Sequence, residues 1–148
     1  MAFRFTLDVL LRVRQSVERQ QELLLQEANQ HLTILRQRIE DLDAQMAQLT
    51  ASKMRQLESG LSAAELQFDL LCRSVMLQQR AALEQEMSQA EAARDARRET
   101  FREARRQREV MDTLRNHQLQ AHRQQEMRQE QRRLDDMFLL RRAYLRRS

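Results

Sequence analysis

The chain has 148 residues, with 26 basic and 22 acidic side chains, one glycine, no proline and no tryptophan. A compact globular domain of this length carries more aromatic residues and several Gly and Pro turn positions, so the composition argues against one. An unbroken pattern rich in Ala, Glu, Leu, Gln and Arg is instead what long helices and coiled coils need, because these are strong helix formers and nothing interrupts them.

The opening MAFRFTLDVLLRVR lacks the apolar core and small-residue cleavage site of a signal peptide. The longest apolar runs, VLL at 9–11 and LLL at 23–25, fall far short of a membrane span. A cytosolic protein is expected. Further on, Ala28, Leu32, Leu35, Ile39, Leu42, Met46 and Leu49 recur at alternating steps of four and three, a heptad seam held over three repeats. Upstream, Leu10, Val13, Val17 and Leu24 follow the same steps one register away, which predicts a stutter near Leu24 and Leu25.

The lone glycine punctuates this pattern in LESGLSAAEL, Leu57 to Leu66. Gly60 can take the left-handed conformation that closes a helix at its C-terminal side. Ser62 and Glu65 have capping-box spacing for the next helix start, and Leu61 and Leu66 are placed as a hydrophobic staple. Beyond them LQFDLLCRSVML is dense in apolar residues at many phases, which predicts a short separate helix turning the corner. Leu83, Met87, Ala90, Phe101, Ala104 and Met111 then keep heptad spacing, with Arg94, Arg97 and Arg108 at seam positions. Long Arg stems cover apolar surface with their heads in water, so this seam is mixed and weaker.

The predicted architecture is all-α: a long antiparallel two-helix coiled-coil hairpin forming a single domain. Its expected elements are helix 1 over about 4–58, a turn over 59–62, a short helix over about 63–75 and a long helix over about 77–145. Such a molecule is a rod, and its longer second segment must either overhang or be absorbed in short helices near the link.

Charge is uneven. Residues 94–148 hold 16 Arg against 9 Asp and Glu, while residues 1–93 hold 10 basic against 13 acidic side chains. Asp95 with Arg98, Glu99 with Arg102 and Glu103 with Arg106 fall three apart, as on a solvated helix. Arg132, Arg133, Arg141, Arg142, Arg146 and Arg147 exceed their acidic neighbours and suit forked hydrogen bonds to carboxylates or phosphates.

Nothing points to catalysis. There is no glycine-rich phosphate loop, and a two-helix rod offers no cavity in which to perturb a pKa. His31, His117 and His122 lack the spacing of a metal site and read as ordinary exposed histidines. Cys72, beside Leu71 and Val75, reads as a small apolar packing residue. No cofactor and no metal are expected; the chain reads as one that binds.

FRFTLDVLLRVRQSVERQQE at the start, GLSAAELQFDLL at the link, FREARRQREVMDTL in the Arg-rich stretch and QRRLDDMFLLRRA near the end together resemble the flagellar export family FliJ over nearly the whole chain. The resemblance implies an antiparallel coiled coil similar to the central stalk of rotary ATP synthases. It implies insertion into the flagellar export ATPase hexamer (FliI), promotion of its assembly and activity, contact with the cytoplasmic region of the export gate FlhA, and escort of export chaperones. It also implies a cytoplasmic location, peripherally associated with the inner membrane at the flagellar base. On this reading the ATPase contact falls on the joined N- and C-terminal end of the hairpin, at Arg12, Arg14, Arg133, Asp135, Asp136, Arg141 and Arg142. The gate contact falls near the link, at Phe68, Leu71 and Val75.

Other readings stay open at this level. The equivalent stalk of a virulence-type secretion system shares the rod and the ATPase partner. A basic coiled coil could bind nucleic acid or an anionic membrane through its C-terminal Arg, although aromatic residues do not interleave with the Arg as single-strand binding requires, and no nucleic acid is expected. A parallel homodimer of unbroken helices is opposed by the GLSAAE break. For the apolar residues at 68, 71 and 75, stapling of the turn competes with gate binding, and for the terminal charges a solvated helix end competes with an ATPase contact.

Overall fold

Two helices account for the structure, a computed structural model that describes residues 2–147. Helix α1 spans Asp8–Ser59 and helix α2 spans Ala63–Arg147. They pack against each other as an all-α hairpin. Asp8 in the first turn of α1 and Arg146 and Arg147 in the last turn of α2 complement the ends of the helix dipoles.

The link follows the sequence reading closely. Gly60 has φ of 88°, the left-handed region in which a Cβ is strained. The Ser62 amide donates to Glu65 Oε2 at 3.0 Å and the Glu65 amide donates to Ser62 Oγ at 3.3 Å, a reciprocal capping box.

Two expected boundaries differ. The short helix over about 63–75 followed by a new one at 77 is not found: α2 runs without interruption through Met76 to Arg147. Its dense apolar phases arise because Phe68, Leu71 and Val75 lie exposed beside the half-buried seam residues Cys72 and Met76, so no corner is needed to bury them. At the other end α1 begins at Asp8 rather than near residue 4. Residues two apart share a side in extended backbone but lie about 200° apart on a helix. Only the non-helical form lets Phe5 pack with Leu11 and Met111 while Phe3 packs on the same cluster.

Packing divides the chain into two compact units. One comprises Met1–Arg19 with Glu103–Ser148, the other Gln20–Arg102. In the second unit Leu32, Leu35 and Ala90 form the core, with Leu83 and Met87 packed against it. Leu35 is fully buried, and burial of a leucine of this kind contributes roughly 1.5–3 kcal/mol. Cross-helix pairs join His31 to Glu86, Arg36 to Glu91 and Asp43 to Arg80. In the first unit Leu11 is 2% exposed, and Ala104 and Met111 are buried on α2.

The seam of α1 corrects the predicted stutter in part. Buried and half-buried positions at heptad steps run 11, 14, 18, 21, 25, 28, 32, 35, 39, 42 and 46, with Val17 and Leu24 half-buried beside them as expected. Leu10 and Val13, expected in the seam, are 42% and 50% exposed. Leu11, Arg14, Glu18 and Gln21 keep the heptad steps there, and the apolar stripe runs alongside them. On α2, Arg94 and Arg108 are half-buried at the seam as expected, whereas Arg97 is exposed.

Candidate interaction surfaces

Three surfaces collect the chemistry. The first is the end of α2. Every described residue from Arg123 to Arg147 is exposed, because α1 starts too late to lie beside it. This stretch holds eight Arg and four Asp or Glu. Arg133, Asp135, Asp136, Arg141 and Arg142 all lie on it; Asp135 accepts a hydrogen bond from Gln131, and neither Arg133, Arg141 nor Arg142 pairs with another described residue. Met127, Leu134, Phe138 and Leu145 are exposed at steps of seven, four and seven, one stripe along the helix. That stripe is not the continuation of the α1-facing seam, which by its own spacing would pass through Gln125, Gln129, Arg132 and Asp136.

Arg12 and Arg14 do not join this group. Arg12 is exposed and pairs with Asp8 one turn back at 3.0 Å. Arg14 donates from Nη1 to Gln107 Oε1 across the helix pair. Gln107 lies 26 residues before Arg133 on the same helix, roughly 40 Å at 1.5 Å per residue. The seven terminal residues therefore form two separate groups rather than one joined end. The physical reason is the unequal helix length: α2 passes the start of α1 and goes on alone.

The second surface is the interhelix polar layer, in which sequence reasoning missed Glu18. Arg108 Nε donates to Glu18 Oε2 at 2.6 Å and Nη2 donates to Glu18 Oε1 at 3.1 Å, a two-pronged fork. Nη1 of Arg108 donates to Asp112 Oδ2 at 2.7 Å. These hydrogen bonds, that to Glu18 foremost, raise the Arg108 pKa above its ordinary value, so the guanidinium is charged at every accessible pH. The available signal was Arg108 at a seam position: carrying the Leu32 register back by heptad steps lands on Glu18.

The third surface lies beside the link. Phe68, Leu71 and Val75 recur at steps of three and four on one face of α2 and are 66%, 64% and 45% exposed. Next to them is a groove of about 100 Å³ lined by Met46, Leu49, Phe68, Cys72 and Met76 with Lys53. Arg80 is held by Asp43 of α1 at 2.6 Å and by Glu84, and the Asp43 hydrogen bond leads in raising its pKa.

The histidines have local roles. The His122 ring meets Phe3 edge-on at 5.6 Å between centroids, and its Nδ1 lies 3.7 Å from Glu126. His31 lies 3.9 Å from Glu86, and His117 is exposed. Among the described residues no group of three or more His, Cys, Asp or Glu could hold a metal ion. No described helix is long and apolar enough to cross a membrane.

A protein-family model described as the flagellar FliJ protein matches residues 3–148. The chain belongs to the FliJ family. No curated protein and no solved structure matches it significantly. Membership makes this FliJ-family chain a component of flagellar export, in a family of non-enzymatic proteins that act with the export machinery. The hairpin with heptad seams agrees with that assignment.

Proposed function

We propose that this chain is a stalk-like activator of the flagellar export ATPase. Its uncovered α2 end enters the ATPase ring and promotes assembly and hydrolysis. The observation that carries the reading is the exposed stretch from Arg123 to Arg147, where Arg133, Arg141 and Arg142 lie exposed on the same helix stretch as an apolar stripe. A helix of this kind fits an acidic-rimmed, apolar-floored site through a buried apolar anchor and forked Arg contacts at its edge. Asp135 and Asp136 then face basic groups of the ring. Arg14, engaged with Gln107, positions the helix pair, and Arg12 belongs to a secondary contact along α1.

The same chain couples the ATPase to the export gate through Phe68, Leu71 and Val75, whose combined exposure beside a groove suits an apolar partner surface. It escorts export chaperones, and it works in the cytoplasm, held peripherally at the inner membrane by these partners. Family membership favours the flagellar system over a virulence-type one.

The test is the ATP hydrolysis rate of the export ATPase from the same genome, titrated with this chain at fixed salt. A saturable rise near one chain per hexamer is the expected result. No rise, together with no comigration on a sizing column, overturns the proposal. If the chain then binds polyanions with steep loss of affinity in salt, the basic end serves a nucleic acid or an anionic surface instead.

A further inference from the structure

We propose that the polar layer formed by Arg14 with Gln107 and Glu18 with Arg108 and Asp112 is a latch. There residues 8–19 of α1 leave α2 as one unit while the Gln20–Arg102 unit keeps its fold. All five side chains belong to the first packing unit, Met1–Arg19 with Glu103–Ser148.

Composition of the seam is the first reason. The Gln20–Arg102 unit is closed by Leu32, Leu35, Leu42 and Ala90, with Leu83 and Met87 against them. In the first unit the buried residues are Phe5, Leu11, Ala104 and Met111, and the next two seam positions of α1 after Leu11 are Arg14 and Glu18. A leucine layer loses its burial when it opens. Arg14, Glu18, Gln107, Arg108 and Asp112 instead regain hydration, which returns most of what their mutual attraction supplied.

Orphaned polarity is the second reason. The next seam position, Gln21 at the edge of the Gln20–Arg102 unit, has its Oε1 atom buried without a hydrogen-bond partner among the described residues. An unsatisfied buried acceptor weakens the packing around it. The apolar stripe of α1 also departs from the seam here, with Leu10 and Val13 on the solvent side. Dissociation of residues 8–19 therefore disturbs one small apolar cluster, Leu11 with Met111 and Phe5 and with Phe3 against them. Low-cost local opening of this sort is expected where buried apolar contacts are sparse.

Hydrogen exchange of the full-length chain, read by amide, tests the latch. Amides of Leu11 to Glu18 should exchange at one common rate, at least roughly tenfold faster than those of Leu32 to Leu42, with the step near Gln21. Ala104 to Gln118, far from either end of α2, should follow the faster rate. Helix-end fraying would give a gradient along α1 and leave Ala104 to Gln118 protected; that result overturns the proposal, as does equal protection along the whole of α1. A pair of variants reads the cause. Glu18→Leu alone should speed exchange in residues 8–19, and Glu18→Leu with Arg108→Leu should slow it below the unsubstituted rate. An unchanged rate in the double variant removes the polar layer as the determinant. Raising NaCl to about 1 M, where the Debye length falls to about 3 Å, supplies a measurement needing no variant. It should speed exchange in residues 8–19 more than in Leu32 to Leu42, whose ion pairs Arg36–Glu91 and Asp43–Arg80 are exposed additions to a leucine core, and equal response of both segments contradicts the latch.

Discussion

Glu18 and Arg108, 90 residues apart in sequence, face each other across the helix pair in a forked ion pair at 2.6 and 3.1 Å. Their side chains are 18% and 23% exposed, so solvent screens the pair only in part. Replacing both by leucine should stabilise the fold, whereas removing one leaves a poorly solvated charge. Glu18→Ala should therefore destabilise the fold by about 1–2 kcal/mol, below the cost at a fully buried pair, as read by urea unfolding.

The sign of the Arg108 shift sets a pH expectation. A pKa raised by folding contributes stability that is complete below the ordinary guanidinium value and is lost only above it. Stability differences between the unsubstituted chain and Arg108→Met should therefore be flat between about pH 6 and 10. A slope in that window would show that another titrating group governs the layer.

Gly60 offers a cleaner backbone test. A Cβ built there meets no atom within 4 Å, so Gly60→Ala adds no clash and its cost is that of the left-handed conformation, about 1–2 kcal/mol. Ser62→Ala should cost about 1 kcal/mol through loss of the cap to Glu65. Thermal unfolding of the two variants checks both values, and a helix-rich circular dichroism spectrum should persist in each.

Core and tail should differ sharply. Leu35, fully buried, should lose about 2–4 kcal/mol on substitution by Ala. Leu139, 60% exposed, should change stability by no more than about 0.5 kcal/mol. Equal effects at the two sites, measured by denaturant midpoint, would mean that the α2 end is covered in solution.

Much of this was legible because the responsible signals are local. The turn needs one glycine, the cap needs Ser62 and Glu65 three apart, and the seam from Ala28 to Met46 is apolar at every step. The first turns of α1 were not legible for the opposite reason. Apolar periodicity selects Leu10 and Val13, but the packing selects Leu11, Arg14 and Glu18, whose partners Met111, Gln107 and Arg108 lie about ninety or more residues away. The short helix predicted over about 63–75, with a new one from about 77, failed similarly: Phe68 and Leu71 are exposed, and periodicity assumes that such residues are buried. Arg12 and Arg14 were grouped with the terminal Arg on the premise that both chain ends meet, whereas α2 continues beyond His122 alone.

The exposed link face gives the second functional expectation. Phe68→Ala, Leu71→Ala and Val75→Ala combined should abolish binding to the export gate while leaving helicity intact. Loss of the circular dichroism signal would instead assign these residues to packing.

The most direct measurement compares stimulation of the export ATPase by the unsubstituted chain and by the variant Arg133→Glu, Arg141→Glu and Arg142→Glu. These three side chains are exposed, so the fold should persist. The stalk account predicts that the unsubstituted chain gives a saturable rate increase and that the variant, equally helical, gives little or none. Equal stimulation by both chains would contradict it.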